Sequence, residues 1–183
     1  MSSTREKAQL MSASEMDRTL VRLAHEVLEK CSDPGSLAFI GIRRRGVPMA
    51  QRLSSKIEAL ENVKVPVGVL DINLYRDDLS TVGPKPVVSG TQIDFAVQGK
   101  HVILMDDVLY TGRTIRAALD ALFELGRPAR VQLLVLIDRG HRELPIEAQY
   151  VGRKIPTSSR EIIEVKFQEI DQTERVLLVE LTD

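Results

Sequence analysis

Asp106 and Asp107 stand side by side directly after the apolar run Val102-Ile103-Leu104-Met105, and a Thr111-Gly112-Arg113-Thr114 turn follows shortly after. A continuous apolar run of this kind reads as a strand buried on both faces, so the two carboxylates arrive at its exposed end. The turn opens a helix, whose free backbone N–H groups and partial positive charge suit a phosphate. Gly112 lets the backbone approach closely. Thr111 and Thr114 add hydroxyl donors, and Arg113 adds charge. Two carboxylates would repel a bare phosphate. They suit a sugar phosphate, accepting hydrogen bonds from ribose hydroxyls while the turn holds the 5′-phosphate. The competing phosphate motifs fail: Arg113 stands where a Walker A loop needs Lys and Asp107 where it needs its first Gly, and no Gly-x-Gly-x-x-Gly is present.

The elements that must position this turn are legible around it. Apolar residues at helical spacing (Met16, Leu20, Leu23, Val27) predict a helix over 13–30, opened by a capping box of Ser12 and Glu15. Arg18, Arg22, His25 and Glu29 share another face of it. Asp33-Pro34-Gly35 breaks the chain. A strand over 37–42 leads into Arg43-Arg44-Arg45-Gly46, and Pro48 suits the first turn of a helix that buries Met49, Leu53, Ile57 and Leu60. A second strand is expected over 65–74. Residues 75–91 hold Gly83, Pro84, Pro86 and Gly90 and read as a long mobile excursion. A third strand is expected over 101–106, a helix from Gly112 with Ile115, Ala118, Leu119 and Leu122 on one side, and a fourth strand over 131–137. The charged connection 138–145 follows. Ile163, Val165 and Phe167 alternate with polar residues as a half-exposed strand, which pairs with a last strand over 175–181.

Strand–helix units in this order predict an α/β fold with a mostly parallel sheet, in one domain over 1–183. Ligands of such sheets sit beyond the carboxyl ends of the strands, so 43–46, 106–114 and 138–141 share one rim. Of 183 residues, 43% are hydrophobic and 28% charged, which excludes a disordered chain. Aromatics are 4% with no Trp, which argues against a base-stacking nucleic-acid platform, and the net charge of −1 excludes all-over nucleic-acid affinity but not a local basic patch. With Cys31 the single cysteine and three histidines, neither an internal disulfide nor a Cys/His structural zinc site is expected. Met1 to Lys7 lack the apolar core of a signal peptide, and no run is long enough to span a bilayer, so a cytoplasmic chain without membrane contact is expected.

The segment Asp106 to Thr114 resembles the 5-phosphoribosyl-1-pyrophosphate (PRPP) signature of type I phosphoribosyltransferases. Together with Leu74-Tyr75-Arg76-Asp77-Asp78-Leu79 and the run Val135 to Ile146, which contains Asp138-Arg139-Gly140-His141-Arg142, it is similar to one branch: the pyrimidine operon attenuation regulators with uracil phosphoribosyltransferase activity. The similarity covers most of the chain, from about Ala8 to Asp171. It implies the type I phosphoribosyltransferase fold, with a central sheet flanked by helices, a small hood and a flexible flap.

By that resemblance Asp106 and Asp107 are catalytic and hold the ribose. Val108, Leu109, Tyr110, Thr111, Gly112, Arg113 and Thr114 complete the PRPP and nucleotide site, and Arg43, Arg44 and Arg45 form the pyrophosphate loop. Arg44 departs from the Thr of many relatives. Tyr75, Arg76, Asp77 and Asp78 belong to the flap, whose closure excludes water from the activated sugar. Ile137, Asp138, Arg139 and His141 form the base loop. Tyr110 cannot replace the acidic residue that purine enzymes of this type carry, which points to a pyrimidine. Mg²⁺ is expected chiefly on PRPP oxygens, with no direct protein ligand assigned. The implied partners are PRPP, uracil, UMP and UTP, a pyrimidine operon mRNA leader, and at least one further copy of the chain. Arg18, Arg22, His25, His141, Arg142, Arg153 and Lys154 are the cations available for RNA. Val21 and Glu147 depart from relatives that carry a hydroxyl and an Arg there.

Overall fold

The computed structural model describes residues 3–73 and 90–182. The flap residues Tyr75, Arg76, Asp77 and Asp78, like Leu74, lie outside the described residues. The elements run β1 (Ser3–Ser12), α1 (Ala13–Lys30), a 3-10 turn (Pro34–Ser36), β2 (Leu37–Ile42), α2 (Gly46–Glu61), β3 (Val67–Leu70), β4 (His101–Leu109), α3 (Arg113–Glu124), β5 (Arg130–Asp138), β6 (Tyr150–Lys154), β7 (Glu161–Lys166), α4 (Gln168–Asp171) and β8 (Arg175–Thr182).

Five parallel strands form the central sheet in the order β3-β2-β4-β5-β6. Side-chain alternation divides its core. Phe39, Ile103, Met105, Leu134 and Leu136 face one way and pack with α1 and α2. Ile40, Val102, Leu104, Leu133 and Val135 face the other way and pack with α3. Both faces are therefore covered, which is why Val102 to Met105 read as unbroken apolar sequence.

Helix α1 begins where the capping box predicts. The Glu15 N–H donates to Ser12 Oγ at 3.3 Å, and the Ser12 hydroxyl donates to Glu15 Oε1 at 3.3 Å. Met16, Leu20, Leu23 and Val27 are fully buried, each contributing about 1.5–3 kcal/mol of apolar burial. In α2 the apolar stripe stops short: Met49, Leu53 and Ile57 are buried, but Leu60 is 45% exposed. Leu60 lies one residue before the helix end, past the edge of the packed face.

A second sheet, antiparallel and ordered β1-β8-β7, forms the hood. Its apolar face (Met11, Ile163, Val165, Val176) joins the core on the α1 and α2 side. The expected pairing of the last two strands holds. Strands β1 and β6 and the four-residue α4 were not anticipated. The second strand is shorter than the expected 65–74, because Pro66 has no ladder N–H to give and the pairing with β2 ends at Leu70. The third is longer: β4 continues past Asp106, where Val108 and Leu109 pair with Ile137 and Asp138.

Candidate active site

Parallel register brings three strand ends to one rim. Gly41 in β2 is level with Met105 in β4, and Leu109 in β4 is level with Asp138 in β5. The Arg139 N–H then donates to the Leu109 carbonyl at 3.1 Å, tying the first residue after β5 to the end of β4. The segments 43–46, 106–114 and 138–141 lie at one rim, as the sequence order predicts.

The two acids are not equivalent. Asp106 is only 9% exposed, whereas Asp107 is half-buried, so the expectation of two carboxylates at an exposed end is corrected for Asp106. Strand periodicity gives the reason. Asp106 follows Val102 and Leu104 onto the α3 face, and Asp107 follows Ile103 and Met105 toward Arg45. Burial, then the adjacent Asp107 charge, push the Asp106 carboxyl well above the usual carboxylate range. Local amides fix both groups: the Asp107 N–H donates to Asp106 Oδ1 and the Val108 N–H to Asp107 Oδ1, each at 2.9 Å. Gly46 packs backbone to backbone on this strand. A Cβ there would collide with the Met105 carbonyl and come within 3.4 Å of the Asp106 Cα.

The phosphate turn has the predicted form. Gly112 takes φ 91°, a left-handed conformation, and α3 starts at the next residue. The Arg113 N–H donates to Thr111 Oγ1 at 3.3 Å. Thr111 and Thr114 are half-buried, and Leu109, at 1% exposure, can face a ligand only through its backbone. A brace behind the turn was not anticipated. The Glu143 and Leu144 N–H groups donate to the Thr111 carbonyl at 2.9 and 3.2 Å, and Arg113 Nε donates to Glu143 Oε2 at 2.8 Å. These contacts join residues some 30 positions apart, a separation that no local sequence pattern reports.

In the loop after β2, Arg43 and Arg44 are exposed and joined by a cis peptide bond. Arg45 is already engaged. Its Nη2 donates to Asp171 Oδ1 at 2.6 Å and its Nε to Asp171 Oδ2 at 3.3 Å.

Beyond β5, a cavity of about 350 Å³ is lined by residues 138–142 and 154–157. Arg139, 6% exposed, is held by Thr157 Oγ1 at 3.0 Å and by the carbonyls of Ser158 and Glu161 at 3.3 and 2.6 Å. Tyr110 stacks under its guanidinium, and His141 meets the Tyr110 ring edge-on at 5.9 Å. His141 Nε2–H donates to the Thr157 carbonyl at 2.6 Å. Ile137 is fully buried in the core, so its side chain is unavailable to a base.

The cations predicted for RNA divide. Arg18 and His25 are exposed on α1, as expected. Arg22 pairs with Glu26 and donates to the Gly152 carbonyl, and Arg153 donates to the Leu10 carbonyl at 2.7 Å and pairs with Glu15 at 3.4 Å. Helix α1 therefore lies beside β6, which gathers Arg18, Arg22, His25 and Arg153 on one face, partly neutralised. Lys154 is exposed at the cavity. Arg142 is a correction. It donates to Asp138 Oδ2 at 2.7 Å, the Tyr110 carbonyl at 2.8 Å and the Ile146 carbonyl at 2.9 Å, so its fork is spent on holding the base loop.

Comparison with known proteins fits this geometry. A family model described as "Phosphoribosyl transferase domain" matches residues 9–170. The chain is 57% identical over 179 residues to the "Bifunctional protein PyrR" of Pelotomaculum thermopropionicum, covering 98% of this chain and 99% of that one. It is 55% identical over 174 residues to the protein of the same name from Thermus aquaticus, covering 95% and 96%. Among solved structures it is similar to a hypoxanthine-guanine phosphoribosyltransferase from Bacillus anthracis, with a TM-score of 0.71, 19% identity, and 97% and 99% of the two chains covered. That likeness concerns the fold alone.

Proposed function

Because the chain belongs to the phosphoribosyl transferase domain family, we propose that it joins uracil to the phosphoribosyl group of PRPP, releasing pyrophosphate and UMP, and that it also regulates pyrimidine genes through an mRNA leader. The observation that carries the reading is the convergence, at one rim of the sheet, of the Asp106–Asp107 pair, the Gly112 turn at the start of α3, and the cation-lined cavity of 138–142.

In this mechanism uracil N1 attacks the anomeric carbon of the ribose. The N1–C1′ bond forms, the C1′–oxygen bond to pyrophosphate breaks, and the N1 proton passes to solvent. Positive charge grows on the ribose ring as the leaving group departs, and the Asp107 carboxylate stabilises it. Asp106, whose carboxyl burial pushes well above the usual carboxylate range, faces a ribose hydroxyl beside Asp107. The amides of the Gly112 turn and the first turn of α3 hold the 5′-phosphate. In this reading the loop Arg43 to Arg45 meets pyrophosphate. The 138–142 loop, stiffened by Arg139 through Thr157, Ser158 and Glu161, meets the uracil ring in this reading.

Mg²⁺ accompanies PRPP in this reading. The donor chemistry fits such an ion: Asp107 offers hard, half-exposed carboxylate oxygen beside the site. When bound with PRPP, Mg²⁺ neutralises charge on the leaving pyrophosphate.

The regulatory activity has its support in the face shared by α1 and β6, where Arg18, His25 and Arg153 are exposed. UMP and UTP, held at the PRPP and nucleotide site, act as co-regulators of RNA binding, and the chain works in the cytoplasm as at least a dimer. PRPP-dependent conversion of uracil to UMP, with hypoxanthine, guanine and orotate as competitors, tests the enzyme. Turnover of a purine in preference to uracil would overturn it. Filter binding of a structured pyrimidine leader across a salt series, with and without UMP, tests the regulator. Binding confined to very low salt, and equal for unrelated RNA, would overturn that part.

A further inference from the structure

Arg45 is the last cation of the loop after β2 and Asp171 ends α4 in the hood, 126 positions later. Two parallel N–H···O contacts join them, the fork-to-fork arrangement that fixes a guanidinium in plane and direction. The carboxylate is itself fixed, because Asp171 Oδ2 also accepts the Phe167 N–H at 2.9 Å, and Phe167 is fully buried. The pair is sheltered: the side chains are 31% and 16% exposed. Seven residues along α2, on the same helix face, Arg52 grips the same hood segment through Glu169 at 2.7 Å and Glu174. The segment 167–174 is thus anchored to α2 at two points, and one of them is at the mouth of the pyrophosphate loop. The charge of Asp107 also acts on Arg45, more weakly than that of Asp171.

An exposed arginine that must meet a leaving group loses side-chain freedom when it does so. An arginine already held by an oriented carboxylate has lost that freedom before any ligand binds. We propose that Asp171 is a positioning residue for the reaction: it holds the Arg45 guanidinium in place to receive the pyrophosphate of PRPP. The proposal rests on the phosphoribosyltransferase reading, and specifically on Arg45 meeting pyrophosphate. A further consequence is that the hood, remote in sequence from the PRPP signature, contributes to PRPP affinity.

The test is steady-state kinetics of the full chain with Asp171→Asn, Asp171→Glu, Arg45→Ala, Arg45→Lys and the Arg45→Ala/Asp171→Asn double variant. Asp171→Asn is expected to raise KM for PRPP about tenfold with kcat changed less than about threefold. Inhibition by pyrophosphate should weaken in parallel while inhibition by UMP is unchanged, a split that a general loss of structure would not give. Asp171→Glu should recover most of the affinity. The double variant should bind PRPP no worse than Arg45→Ala, since both changes remove one arrangement. An unchanged KM in Asp171→Asn, losses that add in the double variant, or a fall in kcat alone would overturn the positioning role. Unchanged KM for PRPP in both Arg45→Ala and Arg45→Lys would instead refute the pyrophosphate-loop assignment on which it rests. If Arg45→Ala does not fold, Arg45→Lys takes its place in the cycle.

Discussion

The guanidinium carbon of Arg139 lies 3.9 Å from the centroid of the Tyr110 ring, so a buried cation at the base cavity rests on an exposed phenol from the neighbouring strand end. Burial pulls the Arg139 pKa down from its usual value, and nearby Tyr110 and Glu161 oppose that. The group stays charged, and its direction is set by the ring below and the three oxygens beside it.

Removing the ring should loosen the reader of the base. A cation–π contact contributes about 0.5–2 kcal/mol, so Tyr110→Ala should raise KM for uracil roughly 2- to 30-fold with little change in KM for PRPP. Tyr110→Phe keeps the ring and should behave as the parent. Equal effects of Ala and Phe would show that the hydroxyl, not the face, matters.

Asp106 predicts a trade between stability and activity. Burial pushes its carboxyl well above the usual carboxylate range, so the stability it contributes is present at low pH. That stability is lost as pH rises through the elevated native value. Asp106→Asn removes the loss. The variant should be more stable at neutral pH, on the order of 1–2 kcal/mol, or a Tm a few degrees higher. It should make little UMP. Thermal melts of parent and variant across pH should converge in acid and part as pH rises. A variant less stable than the parent at neutral pH would contradict the assignment.

Asp107 is half-buried and fixed by the Val108 amide. Asp107→Ala should lose about 2–4 kcal/mol of transition-state stabilisation by analogy with other deleted charge contacts, read as a fall in kcat/KM of roughly 30- to 1,000-fold. Near-normal turnover would remove Asp107 from the mechanism.

Gly46→Ala should harm the fold and the site together. The added methyl meets the Met105 carbonyl, and overpacking of this kind costs about 1–3 kcal/mol. A Tm lowered by several degrees is expected at this chain length, with PRPP affinity reduced because the strand bearing Asp106 must move. Calorimetry and PRPP titration of the variant check both.

The parts of the molecule that could be read from sequence were those written in local periodicity. Helix α1, with its Ser12 cap and buried stripe, and strand β2 matched to the residue. Strand β1 was missed because its register shifts twice, between Glu6 and Ala8 and between Gln9 and Met11, so no alternation survives in the sequence. Strand β6 is five residues, two of them Arg153 and Lys154, and resembles a charged loop. The site divides in the same way. The turn at Gly112 is contiguous and was visible. The burial of Asp106 depends on Gly46 and on strand continuation, and the Arg45–Asp171 pair depends on chain return after 126 positions. Arg142 shows the converse error: a cation reads as available until its acceptors, one of them a backbone carbonyl 32 positions away, are known.

The close seating of Gly46 on Met105 has a consequence for how such a molecule changes over time. Where two backbones touch with no side chain between them, the pieces they carry move as a single rigid block. Strand β4 and the loop ahead of α2 are then frozen relative to each other, and neither can be remodelled alone. The nucleobase pocket is different, being assembled from side-chain braces such as Arg139 and Arg142. A change in any one of these braces therefore reaches its partners among residues 110, 138–142 and 157–161, while β4 and the loop before α2 keep their mutual placement.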